Sequence, residues 1–394
     1  MKMYDHDSRN VLTLDAGGTN FVFSAIQANR EIIDPVTLPS QGENLDRCLA
    51  TIRSGFHQCF ERVDKKPSAI SFAFPGPADY PGGIIGDLVN LPCFQGGVAL
   101  GPMLEEEFQL PVFINNDGDL FVYGEAIAGF LPKINELLRE SGSLKRYNNL
   151  FGVTLGTGFG GGLVHGGELY LGDNAAGAEI WAVRNKLFPD RSAEESVSIR
   201  GVRRAFAAEM NIPYDKAPSP REIYGFAMGT DNADNFDGSR MAARPQTGMQ
   251  ENSHQAENRQ KAAEAAFRSF GEVIGDTLAN MVTVLDCLMV IGGGMASAYS
   301  LFSPALIDEM NGLYAVPEGD PVIRMESRVY DLEKDADLQT FLKGEPTEIR
   351  VPGSSKTVPY DPVKRLGVGL SVLGTSRAVG IGAYTFALHA LDRE

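Results

Sequence analysis

The run Val11-Leu-Thr-Leu-Asp-Ala-Gly-Gly-Thr-Asn20 constrains this chain more than any other stretch. Val11, Leu12 and Leu14 with β-branched Thr13 have the pattern of a buried strand, and a second apolar run, Phe21 to Ile26, follows. Asp15, Gly17, Gly18, Thr19 and Asn20 lie between them. Two strands joined by such a turn make a hairpin whose tip presents backbone N–H groups with no side chain in front. A tip of this kind is either an ordinary turn or a cradle for phosphate oxygens, since glycine permits close approach. In the second reading Asp15, at the strand end, orients a water on a divalent cation beside the phosphates.

Length and charge narrow the field. A chain of 394 residues predicts two domains rather than one core. With 43% hydrophobic and 22% charged residues the composition is globular, and a formal charge of −16 argues against nucleic acid or an anionic membrane as partner. Met1 to Asn10 is polar and lacks the apolar core of a secretory leader. Even Leu278 to Ile291 is broken by Asn280, Thr283 and Asp286, too short and too polar to span a bilayer. Cys48, Cys59, Cys93 and Cys287 are scattered, which predicts a cytoplasmic protein without a zinc cluster.

Periodicity predicts an α/β order. Asn44 to Arg62 reads as an amphipathic helix, Ala69 to Phe74 as a strand stopped by Pro75-Gly76-Pro77, and Gly101 to Phe108 as a short helix. Pro111 to Ile114 is a strand ending at Asn115-Asn116-Asp117, with a helix from about Leu120 to Gly129. The pattern β-β-α-β-α-β-α then restarts at Leu150 to Leu155, with a glycine turn over 156–162 and a strand at Leu163-Val164, an echo of the first hairpin. Helices are predicted at Ile199 to Met210, Pro220 to Met228 and Lys261 to Asp286, a strand at Leu288 to Ile291 before Gly292-Gly293-Gly294, and a last helix from about Ser371 to Leu391 with Gly374, Gly380 and Gly382 inside it. Three stretches read as embellishments, 132–149, 230–259 and 318–362.

Gly156-Thr-Gly-Phe-Gly-Gly161 satisfies GxGxxG, but that dinucleotide fingerprint needs a helix next, and Leu163 onward reads as strand, turn and strand. Neither a P-loop nor a GxSxG nucleophile elbow is present, and His6, His57, His165, His254 and His389 stand apart from one another. Three glycine turns at strand ends and one acidic tip, Asn116-Asp117, remain. Two phosphate-binding hairpins with a carboxylate between them suit phosphoryl transfer from a nucleotide. Asp117 also stands where a helix N-cap would, and the two roles are compatible.

Asp15-Ala-Gly-Gly-Thr-Asn20, Phe74-Pro-Gly-Pro77, Asn90-Leu-Pro92, Asn116-Asp117, Leu155-Gly-Thr-Gly-Phe-Gly-Gly-Gly162 and Ile291-Gly-Gly-Gly294 follow in the order of the ROK family, which the chain resembles from about Val11 to Ala387. That family contains bacterial glucokinases and other hexose kinases, sugar-responsive repressors and uncharacterised members. The resemblance implies a two-lobed, actin-like (ribonuclease H-like) α/β ATPase fold with sugar and ATP in the cleft. It implies a small lobe over 1–117 joined by the C-terminal helix (about 375–394), and a large lobe over 118–374. By motif, Asp15, Gly17, Gly18, Thr19 and Asn20 correspond to the first phosphate loop, Gly156, Thr157 and Gly158 to the second, and Gly292 and Gly293 to the adenosine site. Asp117 matches the catalytic base; Asn90, Asn116, Glu179 and Glu194 match sugar-binding positions. Mg²⁺ is implied with the ATP, beside Asp15.

The chain departs from the family pattern in two respects. A glycine and a histidine usually follow the first sugar glutamate, where this chain has Trp181 and Ala182. Many members then carry a cysteine-rich zinc motif, whereas Ala182 to Ser198 contains neither Cys nor His, so no zinc site is expected there. The resemblance therefore implies a hexose kinase without zinc, acting on glucose or a near relative at the 6-hydroxyl, with a homodimer open. A repressor would need a helix-turn-helix before the first hairpin, where only ten residues precede Val11. A non-catalytic sugar or nucleotide sensor is the competing expectation.

Overall fold

The computed structural model describes residues 4–88, 91–229 and 253–393. Its first sheet is built on the glycine hairpin. Strand β1 (Asn10–Ala16) pairs antiparallel with β2 (Asn20–Gln27), Ala16 lying opposite Phe21. On the far side of β2 lie the short β3 (Arg30–Glu31) and β4 (Val36–Pro39). Helix α1 (Leu45–Arg62), capped by the Asn44 side chain, leads to β5 (Ala69–Ala73), parallel to β1 and buried at every residue. That burial is why Ala69-Ile-Ser-Phe-Ala73 reads as a nearly continuous apolar run instead of alternating. A small antiparallel sheet of β6 (Ala78–Asp79), β7 (Ile84–Ile85) and β8 (Val98–Ala99) precedes α2 (Leu100–Phe108). Strand β9 (Val112–Asn115) then closes the parallel side against β5.

After α3 (Asp117–Ile127) and α4 (Phe130–Glu140) the plan repeats. Strand β10 (Leu150–Leu155) forms a hairpin with β11 (Phe159–His165), extended by β12 (Glu168–Leu169). Helices α5 (Ile199–Glu209), α6 (Pro220–Ala227) and α7 (Ser253–Leu285) lead to β13 (Leu288–Gly292), parallel to β10. Next come α8 (Tyr299–Met310), the hairpin β14 (Leu313–Tyr314) and β15 (Val322–Ile323), the edge strand β16 (Arg328–Asp331) and α9 (Asp335–Lys343). The hairpin β17 (Thr347–Arg350) and β18 (Thr357–Tyr360) precedes β19 (Arg365–Leu370), which lies between β13 and β16. Antiparallel β1–β2 with parallel β5 and β9 is matched by antiparallel β10–β11 with parallel β13 and β19. The echo of glycine hairpins in the sequence is thus an echo of topology.

The two sheets meet through a helix pair. Helix α10 (Thr375–Leu391) packs on β1, β5 and β9, α3 packs on β10 and β11, and the two helices pack along each other. Glycine permits that approach: a Cβ on Gly124 would lie 2.0 Å from the Ala378 carbonyl oxygen, and one on Gly382 2.0 Å from that of Leu120.

Several boundaries differ from those the sequence predicts. Helix α3 starts at Asp117, not Leu120, because Asn116 supplies the cap. The 132–149 stretch is not wholly peripheral: its first part belongs to α4, which buries Ile134 and Leu138. Gly160 to Gly162 belong to strand β11, not to a turn, their missing side chains admitting Thr154, Ile180 and Val122. Of the 230–259 stretch, residues 230–252 lie outside the described residues, and the rest is the start of α7. The 318–362 stretch supplies β16, an integral strand of the second sheet. The last helix begins at Thr375; Gly374 precedes it at φ +80°, and the buried Glu125 carboxylate holds the turn before it through Ser371 Oγ (2.5 Å) and the Leu373 N–H (3.0 Å).

Candidate active site

Parallel strands end side by side, so residues at their C-terminal ends converge. In register, Asp15 on β1 lies across from Ala73, and Ala73 across from Asn115, which leads directly into Asp117. Asn116 caps α3: its Oδ1 accepts the Gly118 N–H at 2.8 Å, and Asp117 Oδ1 accepts the same N–H at 2.9 Å. Gly118 is pressed against β11, where a Cβ would stand 2.6 Å from the Gly161 carbonyl oxygen. Asp117 therefore stands where the two sheets meet. Its carboxylate is open to solvent on one side and surrounded by protein on the others. That burial raises its proton affinity above the usual aspartate range, the Gly118 N–H opposing and the charge of Asp15 adding to the rise.

Two residues join this group that the motifs did not single out. Tyr80 is buried, donates its hydroxyl hydrogen to the Phe74 carbonyl (3.1 Å), and receives the Asn116 amide at 3.4 Å. Asp119 is 4% exposed, and its Oδ1 has no hydrogen-bond partner. Burial, then the charges of Glu179 and Asp117, hold its carboxyl well above the usual range. Asp119 was legible only as a second acid in Asn116-Asp-Gly-Asp119, and Tyr80 carried no signal beyond the nearby Pro-Gly-Pro turn.

The first glycine turn is braced from behind. Ser40 Oγ donates to the Gly18 carbonyl (2.6 Å) and Ser40 N–H to that of Thr19 (2.9 Å). Because trans peptides set N–H opposite C=O, the Thr19 and Asn20 N–H groups point away from Ser40. Gly18, Thr19 and Asn20 are exposed. The second turn is braced in the same manner, the Gly156 carbonyl accepting the Ile199 N–H at 2.9 Å, which turns the Thr157 N–H the other way. A Cβ on Gly156 would meet nothing within 4 Å, so this turn faces open space of the kind a phosphate requires. Thr154 pairs with Gly292, bringing Gly292-Gly293 beside the second turn. Those glycines also have packing reasons: a Cβ would lie 2.5 Å from the Phe121 ring at Gly292 and 2.3 Å from the Leu155 carbonyl at Gly293.

Glu179 precedes a 3₁₀ turn, Ile180–Ala182, anchored by buried Ile180. Its carboxylate is exposed, accepts the Trp181 indole N–H, and acts electrostatically on Asp119 and Tyr80. Glu194 is more committed: its Oε2 accepts the Phe159 N–H at 3.0 Å and its Oε1 the Arg200 guanidinium at 2.5 Å. Asn90 lies outside the described residues. Among the described residues no group of three or more His, Cys, Asp or Glu is arranged to hold a metal ion, and no helix is long and apolar enough to cross a membrane.

The arrangement brings a carboxylate of raised basicity, two exposed glycine turns and a cluster of hydrogen-bonding side chains to one junction between duplicated sheets. A profile described as "ROK family" matches residues 11–181. The crystal structure of a glucokinase from Parabacteroides distasonis is 49% identical, with a TM-score of 0.82 over 98% of this chain and 99% of that one. A ROK family glucokinase from Streptomyces griseus, in complex with glucose and AMPPNP, shares the fold at 17% identity and a TM-score of 0.57, over 96% of this chain and 99% of that one. An N-acetyl-D-glucosamine kinase from Vibrio atlanticus is 29% identical over 170 residues, covering 43% of this chain and 51% of its own length. The chain spans about half the length of the curated relatives it matches. The duplicated sheets and the full-length likeness to the Parabacteroides protein identify a two-lobed actin-like ATPase fold, and the chain belongs to the ROK family.

Proposed function

We propose that this chain is an ATP-dependent hexose kinase that transfers the γ-phosphoryl group to glucose or a near relative at the 6-hydroxyl. The observation that carries the reading is Asp117: a carboxylate of raised proton affinity at the junction of the sheets, beside Asp15 and reachable by solvent. A sugar hydroxyl is a weak acid, so Asp117 takes its proton as the oxygen attacks the γ-phosphorus. The O–P bond to the sugar forms as the bond to the β–γ bridging oxygen breaks, and ADP leaves.

Orientation and charge do the remaining work. The Asn116 amide and the Glu179 carboxylate supply a donor and an acceptor for sugar hydroxyls, with Asn90 and Glu194 as further sugar residues by motif. Asp15, Gly17, Gly18, Thr19 and Asn20 form one phosphate loop, Gly156, Thr157 and Gly158 the other, and Gly292 and Gly293 back the adenosine. Mg²⁺ bound with ATP supplies charge neutralisation at the phosphates, with Asp15 the nearest carboxylate by motif. The small lobe comprises 1–117 with the C-terminal helix and the large lobe 118–374, and closure about the α3–α10 crossing excludes water. The site of action is the cytoplasm, on small molecules rather than nucleic acid or membrane, with a homodimer as the expected assembly.

A coupled assay of ADP release over a panel of hexoses, including glucose, mannose and N-acetylglucosamine, tests the proposal. Sugar-dependent ADP release is expected; its absence with every hexose, in a folded sample, overturns the kinase reading. The Trp181-Ala182 pair, in place of the family's glycine and histidine, supports the second reading, a sugar sensor, which predicts binding without turnover in the same panel.

A further inference from the structure

The second glycine turn is not free-standing. Three contacts fasten it to residues 194–200: Ile199 N–H to the Gly156 carbonyl at 2.9 Å, Phe159 N–H to Glu194 Oε2 at 3.0 Å, and Arg200 Nη1 to the Thr157 carbonyl at 3.4 Å. Glu194 is pressed so closely on the turn that a Cβ at Gly158 would lie 2.8 Å from its Oε2. Its other oxygen holds Arg200 Nη2 at 2.5 Å. The guanidinium is steadied from behind by Glu195, at 3.0 Å from Nη2 and 3.2 Å from Nε, and Glu195 in turn binds Arg204 at 2.8 Å. By motif Glu194 is a sugar residue, yet here it is also a strut of the nucleotide loop.

Chemistry permits both roles at once. An ionised carboxylate offers roughly four lone-pair positions. Phe159 and Arg200 occupy one on each oxygen, and Glu194 remains partly exposed, leaving room for a sugar hydroxyl to donate to it. A carboxylate held by a sugar fixes the Phe159 amide and the guanidinium in one geometry, and through them the loop that must receive phosphates.

We propose that the Glu194–Arg200 ion pair is a positioning device that couples the two substrate sites: sugar on Glu194 pre-organises the second phosphate loop, so that sugar binding raises nucleotide affinity. The proposal rests on the kinase reading above and adds to it a coupling between the two substrate sites. By linkage the same factor must appear in reverse, nucleotide tightening sugar. Arg200 acts through the loop and is a positioning residue.

The test is calorimetric titration of the full chain with Mg·AMPPNP, alone and with saturating glucose, or with whichever hexose of the panel has the highest kcat/KM. Wild type is expected to bind AMPPNP roughly 5–150-fold more tightly in the presence of sugar, the usual range of such coupling. Arg200→Gln is expected to bring that ratio down to about 1 while sugar affinity without nucleotide changes by less than about threefold. A merely structural role predicts a different result, parallel loss of sugar and AMPPNP affinity with a lowered melting temperature. Arg200→Lys keeps the charge but not the fork geometry, and reads out the same ratio should the glutamine variant fail to fold. Wild-type coupling in a folded variant, or parallel loss, overturns the proposal. Turnover without coupling in the wild type overturns it while leaving the kinase reading intact; wild type binding neither ligand overturns both.

Discussion

The indole N–H of Trp181 donates a hydrogen bond to the Glu179 carboxylate, from the 3₁₀ turn that Glu179 precedes. The family pattern has a glycine and a histidine at Trp181 and Ala182. An imidazole can accept as well as donate, whereas an indole only donates, so Trp181 holds one oxygen of Glu179 and offers no acceptor of its own. Trp181 is 46% exposed, so its apolar face is accessible to a bound ligand.

Trp181 is the one tryptophan of the chain, so intrinsic fluorescence reports on this turn alone. Titrating the substrate sugar should shift its intensity or emission maximum, saturating near the kinetic half-saturation. Trp181→Phe keeps a ring and removes the donor; sugar KM should rise roughly tenfold, the value of one hydrogen bond to a charged group. A flat fluorescence signal at full saturation, with turnover confirmed in the same sample, would place the indole away from the sugar.

Asp117→Asn should lower kcat by about 10²–10⁴-fold, the range of general-base effects, while sugar affinity changes little, since the amide keeps size and hydrogen bonding. In the wild type the active form is the carboxylate, so kcat/KM for sugar falls as pH drops through its pKa. Burial raises that pKa, and the acid limb should therefore lie above the ordinary aspartate value of about 3.9. Near-normal turnover by the asparagine variant would remove Asp117 as the base.

Asp119 makes a separate prediction about stability. Its pKa is raised in the folded state, so the native protein binds more protons than the unfolded chain. By linkage, stability contributed by this group is present at low pH and falls as pH rises above its unfolded value. Asp119→Asn removes the titration while keeping shape. It should stabilise the protein by about 1–3 kcal/mol near neutrality, the scale of a buried polar group poorly satisfied, with the gain vanishing toward acid pH. Chemical denaturation from acid to neutral pH checks both sign and trend; a constant or inverted difference would sink it.

Gly382→Ala tests the helix crossing. The added Cβ would stand 2.0 Å from the Leu120 carbonyl oxygen, so α10 and α3 must separate. A cost of about 1–3 kcal/mol is expected, as for other overpacked contacts, together with weaker sugar–nucleotide cooperation. Thermal unfolding reads the first and kinetics the second. A variant as stable as wild type would show that the crossing has slack.

Purified protein should hold no stoichiometric zinc, because the stretch after Glu179 offers neither thiol nor imidazole ligands. Elemental analysis checks this directly. Activity should nonetheless disappear on chelation and return with Mg²⁺ or Mn²⁺ added with the nucleotide.

Much of this protein is determined by short stretches of its chain. Glycine hairpins bounded by β-branched and apolar runs specify strand, turn and strand from neighbours alone, and central parallel strands announce themselves by continuous hydrophobicity. Asp15 and Asp117 were legible because strand ends are where parallel sheets gather their chemistry. Tertiary structure decided what depends on distant partners. The start of α10 is set by the Glu125 carboxylate, 246 residues before Ser371, and no local pattern around Gly374 contains that information. Asp119 is an unremarkable polar residue of a helix until the second sheet packs against it, a Cβ on Gly162 of β11 lying 3.0 Å from its Cα, and removes its water. Glu194 likewise matched a sugar position by spacing, while its grip on Phe159, 35 residues earlier, exists only because the Ala193–Glu195 turn is folded against the start of β11. Local propensity acts over a few residues, whereas burial and charge pairing act across space, and only the folded chain brings those groups within reach of one another.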